Sequence, residues 1–317
     1  MSLNTVLAVI SGVFMAGLAS AGTYRTERGI EYAEVDGRKL HMTLYVPDDD
    51  GEGVRPGMVL VHGGAWILGT RYQQAWYCRQ FARNGYVVMT IDYRLMPWYP
   101  FPSCLHDCKA AVRWMRINSR KYRIDPNRIV TFGASAGGHL AALLATTEPV
   151  DGLEGDANPC ASSQVQACIS LYGAVDLTLY RDKPLHGRLN VLTMNFLRDF
   201  TGRSASSPDL STIESASPLT YARSTSAPTL LVHGTKDSLV HYEQSVRFHE
   251  KLQSLGVPSR LISLPGRGHA FDYIHPRERR EVFEEMLAFL AEQGCGVHQP
   301  TQQDAARTRI AVGQEAP

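Results

Sequence analysis

The sequence predicts an α/β fold: a mostly parallel central sheet covered by helices on both faces and opened by an antiparallel hairpin. Three observations carry this expectation. Continuous apolar runs such as "GMVLVHGG" and "YVVMTIDYR" have the character of strands buried on both faces, not the alternation of a half-exposed sheet. A helical pattern lies between them, "RYQQAWYCRQFARNG", closed by Gly85. The strand and helix patterns then keep alternating along the chain, as parallel neighbours require, because each needs a crossover.

The elements follow in order. From Ile30, "IEYAEVDGRKLHMTLYVP" holds two alternating runs joined at Asp36-Gly37, a strong hairpin signal. After the first βαβ unit come a helix from about Leu105 to Ser119, a strand at "RIVTF" and a helix from Ala136 to Ala145. Strands are read at "ACISLYG", "TLLVHG" and "SRLISLP", with helices "EQSVRFHEKLQSLG" and "RERREVFEEMLAFLAEQG" after the last two. A long insertion, about 176–227, interrupts this rhythm and contains the helix-like piece "LNVLTMNFLRDF"; insertions of this length in compact domains are usually functional lids.

Both ends are set apart. Residues 1–21 have an apolar centre from Val6 to Leu18 and end in Ala19-Ser20-Ala21, which reads as a signal peptide or, failing that, as an N-terminal helix packed on the domain. The first reading implies a secreted or periplasmic protein and the second a cytoplasmic one. No stable membrane span is expected, since the run is short and broken by Ser and Gly. The catalytic domain is expected over 22–295, followed by a flexible tail over 296–317 with too few apolar residues to order itself.

Composition narrows the function classes. The 317 residues are 44% hydrophobic and 20% charged, enough for one large core, and a net charge of +1 supplies no basic face for nucleic acid. Six cysteines, at 78, 104, 108, 160, 168 and 295, lack the paired spacing of a zinc site and read as buried thiols. A bridge between Cys160 and Cys168 requires an oxidising compartment. No metal set and no cofactor emerges. A small-molecule ester is the expected partner, and a homodimer is compatible with the sequence.

The chemistry concentrates at "RIVTFGASAGGHL". Gly133-Ala134-Ser135-Ala136-Gly137 is a G-x-S-x-G placed between a strand and a helix, where small residues on each side permit the sharp turn that exposes a serine. The same placement leaves the Ala136 N–H at a helix N-terminus, aimed at developing negative charge. A serine hydroxyl needs a base and an orienting acid. His269, in "LPGRGHAFD" just past the last strand, supplies the base, and Asp237, in "TLLVHGTKDSLV", the acid. Asp176 preserves the same chain order and stays as the competing acid. Asp92 reads as structural, and Asp272 lies too near His269 in sequence. "VHGGAW" offers Gly63, Gly64 and Ala65 as backbone donors, with His62 as loop support and His139 as a packed residue. Trp66 is expected to contact substrate, with Trp98 and Tyr99 either lining the pocket or in the core.

Together, HGGAW, "DYRLMPWYPFP", GASAGG, "HGTKDSLV" and "GHAF" resemble the hormone-sensitive-lipase-like branch of α/β-hydrolase esterases, and within it the bacterial carboxylesterases grouped with acetyl-xylan and feruloyl esterases. The resemblance spans about 30–294. It implies the α/β-hydrolase fold, Ser135 as nucleophile, His269 as base, Asp237 as acid, and an oxyanion hole from Gly64, Ala65 and Ala136 with Gly63 supporting. This chain has HGGA where the branch often has HGGG, which places a methyl near the acyl site. Many members carry an N-terminal helical cap, which is missing if residues 1–21 are cleaved. The implied activity is hydrolysis of small carboxylic esters through an acyl-enzyme, with a neutral imidazole base and so an acid limit near pH 6–7. The alternatives are a kynurenine-formamidase-like amidase or peptidase with the same three residues, and a non-catalytic binding protein of the same fold.

Overall fold

A computed structural model describes residues 22–48, 53–182, 197, 199–200 and 210–297. Its centre is an eight-stranded sheet: β1 (Tyr24–Val35), β2 (Arg38–Pro47), β3 (Arg55–Val61), β4 (Val87–Ile91), β5 (Ile124–Ala134), β6 (Ala167–Leu171), β7 (Thr229–Gly234) and β8 (Ser259–Leu264). The spatial order is β1-β2-β4-β3-β5-β6-β7-β8. β2 runs antiparallel to both β1 and β4, and every other neighbouring pair is parallel. The β1–β2 turn is made by Asp36 and Gly37 with φ of 52° and 73°, the left-handed pair that a two-residue hairpin requires.

The apolar runs are continuous because the inner strands bury both faces. In β3, Met58 and Leu60 enter one core layer while Val59 and Val61 enter the other. Helices α1 (Ala75–Arg83) and, near the C-terminus, α5 (Pro276–Glu292) cover the first layer with Tyr77, Phe81, Phe283, Met286 and Phe289. Helices α2 (Ser103–Ile117) and α3 (Ala136–Thr146) cover the second with Leu105, Cys108, Leu140 and Leu144. Helix α4 (Tyr242–Ser254) packs Phe248 and Leu252 on Leu231 of β7. No helix of the described residues is long and apolar enough to cross a membrane.

Two boundaries differ from the sequence reading. Helix α1 begins at Ala75, not near Arg71, because the Arg71 N–H donates to Asp92 Oδ1 (2.7 Å) and its guanidinium pairs with the same carboxylate, holding 71–74 in turns. β5 begins at Ile124, with Arg55 opposite it in β3, ahead of the apolar "RIVTF". The expectations for residues 1–21 and for the tail from 298 onward lie outside the described residues, as does most of the helix-like piece 189–200. The described parts of the insertion form short helical turns at Leu179–Asp182, Leu210–Ser215 and Pro218–Tyr221. The six cysteines are free thiols; Cys168 is buried in β6 and Cys160 is exposed, with no bridge between them.

What positions the site is the approach of β3, β5 and α3. A Cβ at Gly133 would lie 2.1 Å from the Gly137 carbonyl oxygen, and one at Gly137 would lie 2.0 Å from that of Val61. Backbone cannot yield at such distances, so Gly137→Ala should lower stability by about 1–3 kcal/mol, read as a lower midpoint in chemical unfolding. A wild-type midpoint would show that the strand and helix can separate without cost.

Candidate active site

Ser135 joins β5 to α3 with φ 56° and ψ −122°, in a region that non-glycine residues rarely occupy and that costs about 1–3 kcal/mol. The surroundings impose it: the Ser135 N–H donates to the Leu171 carbonyl of β6 (2.9 Å), and its carbonyl accepts the first helical bond from the His139 N–H (3.0 Å). The hydroxyl is thereby presented at the carboxyl edge of the sheet, where the loops after β3, β7 and β8 also emerge.

Those loops bring the predicted partners to it. The His269 Nε2 accepts from Ser135 Oγ at 2.9 Å, and its Nδ1–H donates to Asp237 Oδ2 at 2.7 Å. Residues separated by 134 and 32 positions thus form one hydrogen-bonded chain. The Tyr172 ring stands edge to face against His269 at 4.7 Å, and its hydroxyl donates to Asp272 Oδ1 at 2.6 Å. Asp272 is therefore engaged by a tyrosine behind the imidazole.

The environment of Asp237 keeps it ionised. Burial pushes its carboxyl up, but hydrogen bonds from His233 and His269, the attraction of His269 and the Val240 N–H outweigh this and hold it well below the usual carboxylate range. Oδ1 accepts the N–H groups of Leu239 and Val240, each at 2.9 Å. Oδ2 faces His233 Nε2 at 3.2 Å in addition to His269. His233 was not singled out by the sequence. Asp176, the competing acid, is placed elsewhere: its Oδ2 pairs with Arg247 at 3.1 Å and its Oδ1 accepts from Thr178. Asp92 binds Arg71.

The expected oxyanion donors lie on a tightly folded loop. Gly64, Ala65 and Trp66 have φ of 118°, 49° and 57°. A Cβ at Gly63 would lie 2.8 Å from the Ala134 carbonyl oxygen and 3.4 Å from Ser135 Cβ, so this loop sits directly on the elbow. A Cβ at Gly64 would strike the Leu68 carbonyl oxygen at 2.2 Å, which demands glycine there. Among the described residues, no backbone hydrogen bond takes up the N–H groups of Gly64, Ala65 or Ala136. His62 supports the turn through Nδ1–H to the Gly63 carbonyl (2.7 Å) and by stacking on Tyr93 at 4.3 Å.

Trp66, expected at the substrate, is 6% exposed and largely belongs to the core. Its ring packs on Phe200 at 4.6 Å and its indole N–H donates to His139 Nδ1 at 3.1 Å. His139 in turn donates Nε2–H to the Ala216 carbonyl (2.7 Å), tying α3 to the insertion. Trp98 is 83% exposed, and Tyr99 faces the guanidinium groups of Arg38 and Arg94.

The described fold and this constellation define an α/β-hydrolase. The chain belongs to the BD-FAE family, whose model matches residues 42–252. It is 30% identical to the probable carboxylic ester hydrolase LipM of Mycobacterium tuberculosis over 85% of this chain and 62% of that protein. To the esterase LipQ of the same organism it is 32% identical over 80% of this chain and 59% of that protein. The chain thus spans less than two thirds of the length of these curated relatives. A thermophilic esterase of Thermogutta terrifontis solved with butyrate bound superposes with a TM-score of 0.73 at 26% identity, covering 88% of this chain and 97% of that one. The same enzyme phosphonylated by sarin gives 0.72 at 26% identity, covering 88% and 98%.

The His139 contacts make a separate prediction about stability. Burial pulls its imidazole down to about 4, against a smaller opposing effect from the Ala216 carbonyl. Below about pH 6.5 the unfolded chain takes up a proton that the folded chain refuses, so this contribution is complete above pH 6.5 and is lost as pH falls toward 4. The wild type should lose up to about 3 kcal/mol relative to His139→Gln across that window, measured by chemical unfolding at stepped pH. Parallel curves for the two proteins would contradict it.

Proposed function

We propose that the protein is a serine carboxylesterase acting on small carboxylic esters, with short acyl chains or with acetyl or feruloyl groups on carbohydrate. The observation that carries this reading is the unbroken hydrogen-bond chain Ser135 Oγ, His269, Asp237. It starts at a strained serine that lies against the loop of Gly63, Gly64 and Ala65. The esterase names of the curated relatives and the butyrate held by the Thermogutta terrifontis enzyme support the ester class and a short acyl group.

In the proposed reaction Ser135 Oγ attacks the ester carbonyl carbon as its proton passes to His269 Nε2. The carbonyl π electrons move onto oxygen, which rests on the N–H groups of Gly64, Ala65 and Ala136, with Gly63 keeping the loop on the elbow. Collapse of the tetrahedral species breaks the bond to the alcohol oxygen, which leaves with the proton from His269. A water then attacks the acyl-enzyme, gives its proton to His269 and releases the acid, returning that proton to Ser135. Asp237 holds the imidazole with Nδ1 protonated and stabilises the imidazolium formed in each half. The N-terminal segment 1–21 is assigned to export, and no cofactor is required by these steps.

Ser135→Ala should abolish turnover of p-nitrophenyl acetate, and full activity in the purified variant would remove the assignment. Across p-nitrophenyl esters from C2 to C12, kcat/KM should be greatest at C2–C4. Acetylated xylan and methyl ferulate separate the carbohydrate readings, and N-formylkynurenine the amidase reading. A preference for C10–C12 esters would overturn the short-acyl assignment.

A further inference from the structure

Asp237 is served by two histidines, and only one of them belongs to the chain that reaches Ser135. His233 lies in β7, four residues before the acid, and is 0% exposed. Its Nε2 faces two acceptors, Asp237 Oδ2 at 3.2 Å and the Val240 carbonyl at 3.0 Å, so that nitrogen carries the proton and divides it between them. Its Nδ1 lone pair then accepts from Ser245 Oγ–H of α4 at 2.7 Å. The Tyr242 ring stands perpendicular to the imidazole at 5.8 Å. Each ring nitrogen is therefore occupied, and the ring cannot turn without stranding a buried polar atom.

The other donors to Asp237 are different in kind. Leu239 and Val240 belong to the acid's own loop and travel with it, while His269, on the loop after β8, takes its own orientation from the carboxylate. His233 is anchored in the sheet, in register with Ser263 of β8, and stitched to α4 through Ser245. It is the donor that fixes the carboxylate relative to the sheet, and hence relative to the elbow that the same sheet builds.

We infer that His233 is a positioning residue for the reaction: its Nε2–H holds the Asp237 carboxylate where Oδ2 meets the His269 ring. The inference rests on the reading of Ser135, His269 and Asp237 as the working set. Since His233 is sealed from solvent, its loss bears on the alignment of the base and not on substrate binding, so kcat falls while KM stays.

The test compares His233→Phe, His233→Gln, Ser245→Ala and Ser135→Ala in the full chain with p-nitrophenyl acetate, each variant checked by circular dichroism and thermal melting. A phenyl ring fills the space without a donor, and the loss of one hydrogen bond to a charged group predicts a kcat about ten- to a hundredfold lower with KM within about twofold. The glutamine amide N–H replaces the Nε2 donor and should recover most of the loss. Folded His233→Phe with wild-type kcat, or a glutamine variant no better than phenylalanine, overturns the inference. If His233→Phe does not fold, Ser245→Ala decides: a ring deprived of its Nδ1 partner predicts a several-fold lower kcat at unchanged KM, and wild-type kcat overturns the inference. Activity in Ser135→Ala would instead remove the reading beneath it, so the two failures are distinct.

Discussion

The structure depends on one contact of backbone against backbone, where β5 turns into α3 beneath the end of β3. Glycines at 133 and 137 let chain segments approach to distances at which any Cβ would overlap a carbonyl oxygen. That approach, with the Ser135 N–H fixed to β6, is what holds the serine at positive φ. The strain is local and modest, and it is offset by two core layers that meet on either side of the sheet. Because the same turn starts a helix and abuts the Gly63–Ala65 loop, the proposed nucleophile and the proposed oxyanion donors are set by a single piece of geometry.

The proposed acid, Asp237, is held on a different principle. Asp237 is buried, which by itself favours the neutral carboxyl, yet four donors converge on its two oxygens and keep it charged. A carboxylate so enclosed has one orientation, and so does the imidazole that binds it. The second histidine arrives from inside the sheet, and α4 closes over it with Ser245 and Tyr242. The elbow is thus fixed by sterics and the acid by hydrogen bonds, with β5, β6 and β7 as the common frame.

Much of this was legible in the sequence, for identifiable reasons. Strands buried on both faces write continuous apolar runs, and short polar or glycine-rich segments directly follow them, so Ser135, Asp237 and His269, which the fold brings into one hydrogen-bonded chain, stand out against their neighbours. The order β1-β2-β4-β3-β5-β6-β7-β8 was not legible, because pairing is decided by contacts across the sheet and not by succession along the chain. Asp176 and Asp237 follow similar strand ends; what separates them is Arg247, 71 positions beyond Asp176, which takes its carboxylate. His233 was hidden for the opposite reason, as one polar residue inside an apolar strand, and only the acid's position in space gives it a task. Trp66 illustrates a further limit: an aromatic in a loop beside the site can face substrate or core, and here its indole N–H is spent on His139.

Whether Ser135 is an activated nucleophile is tested most directly by a fluorophosphonate probe followed by peptide mapping. One adduct is expected, on the peptide bearing Ser135, formed by the wild type and lost in Ser135→Ala. An unlabelled wild type, or an adduct on another residue with Ser135 unmodified, would contradict it.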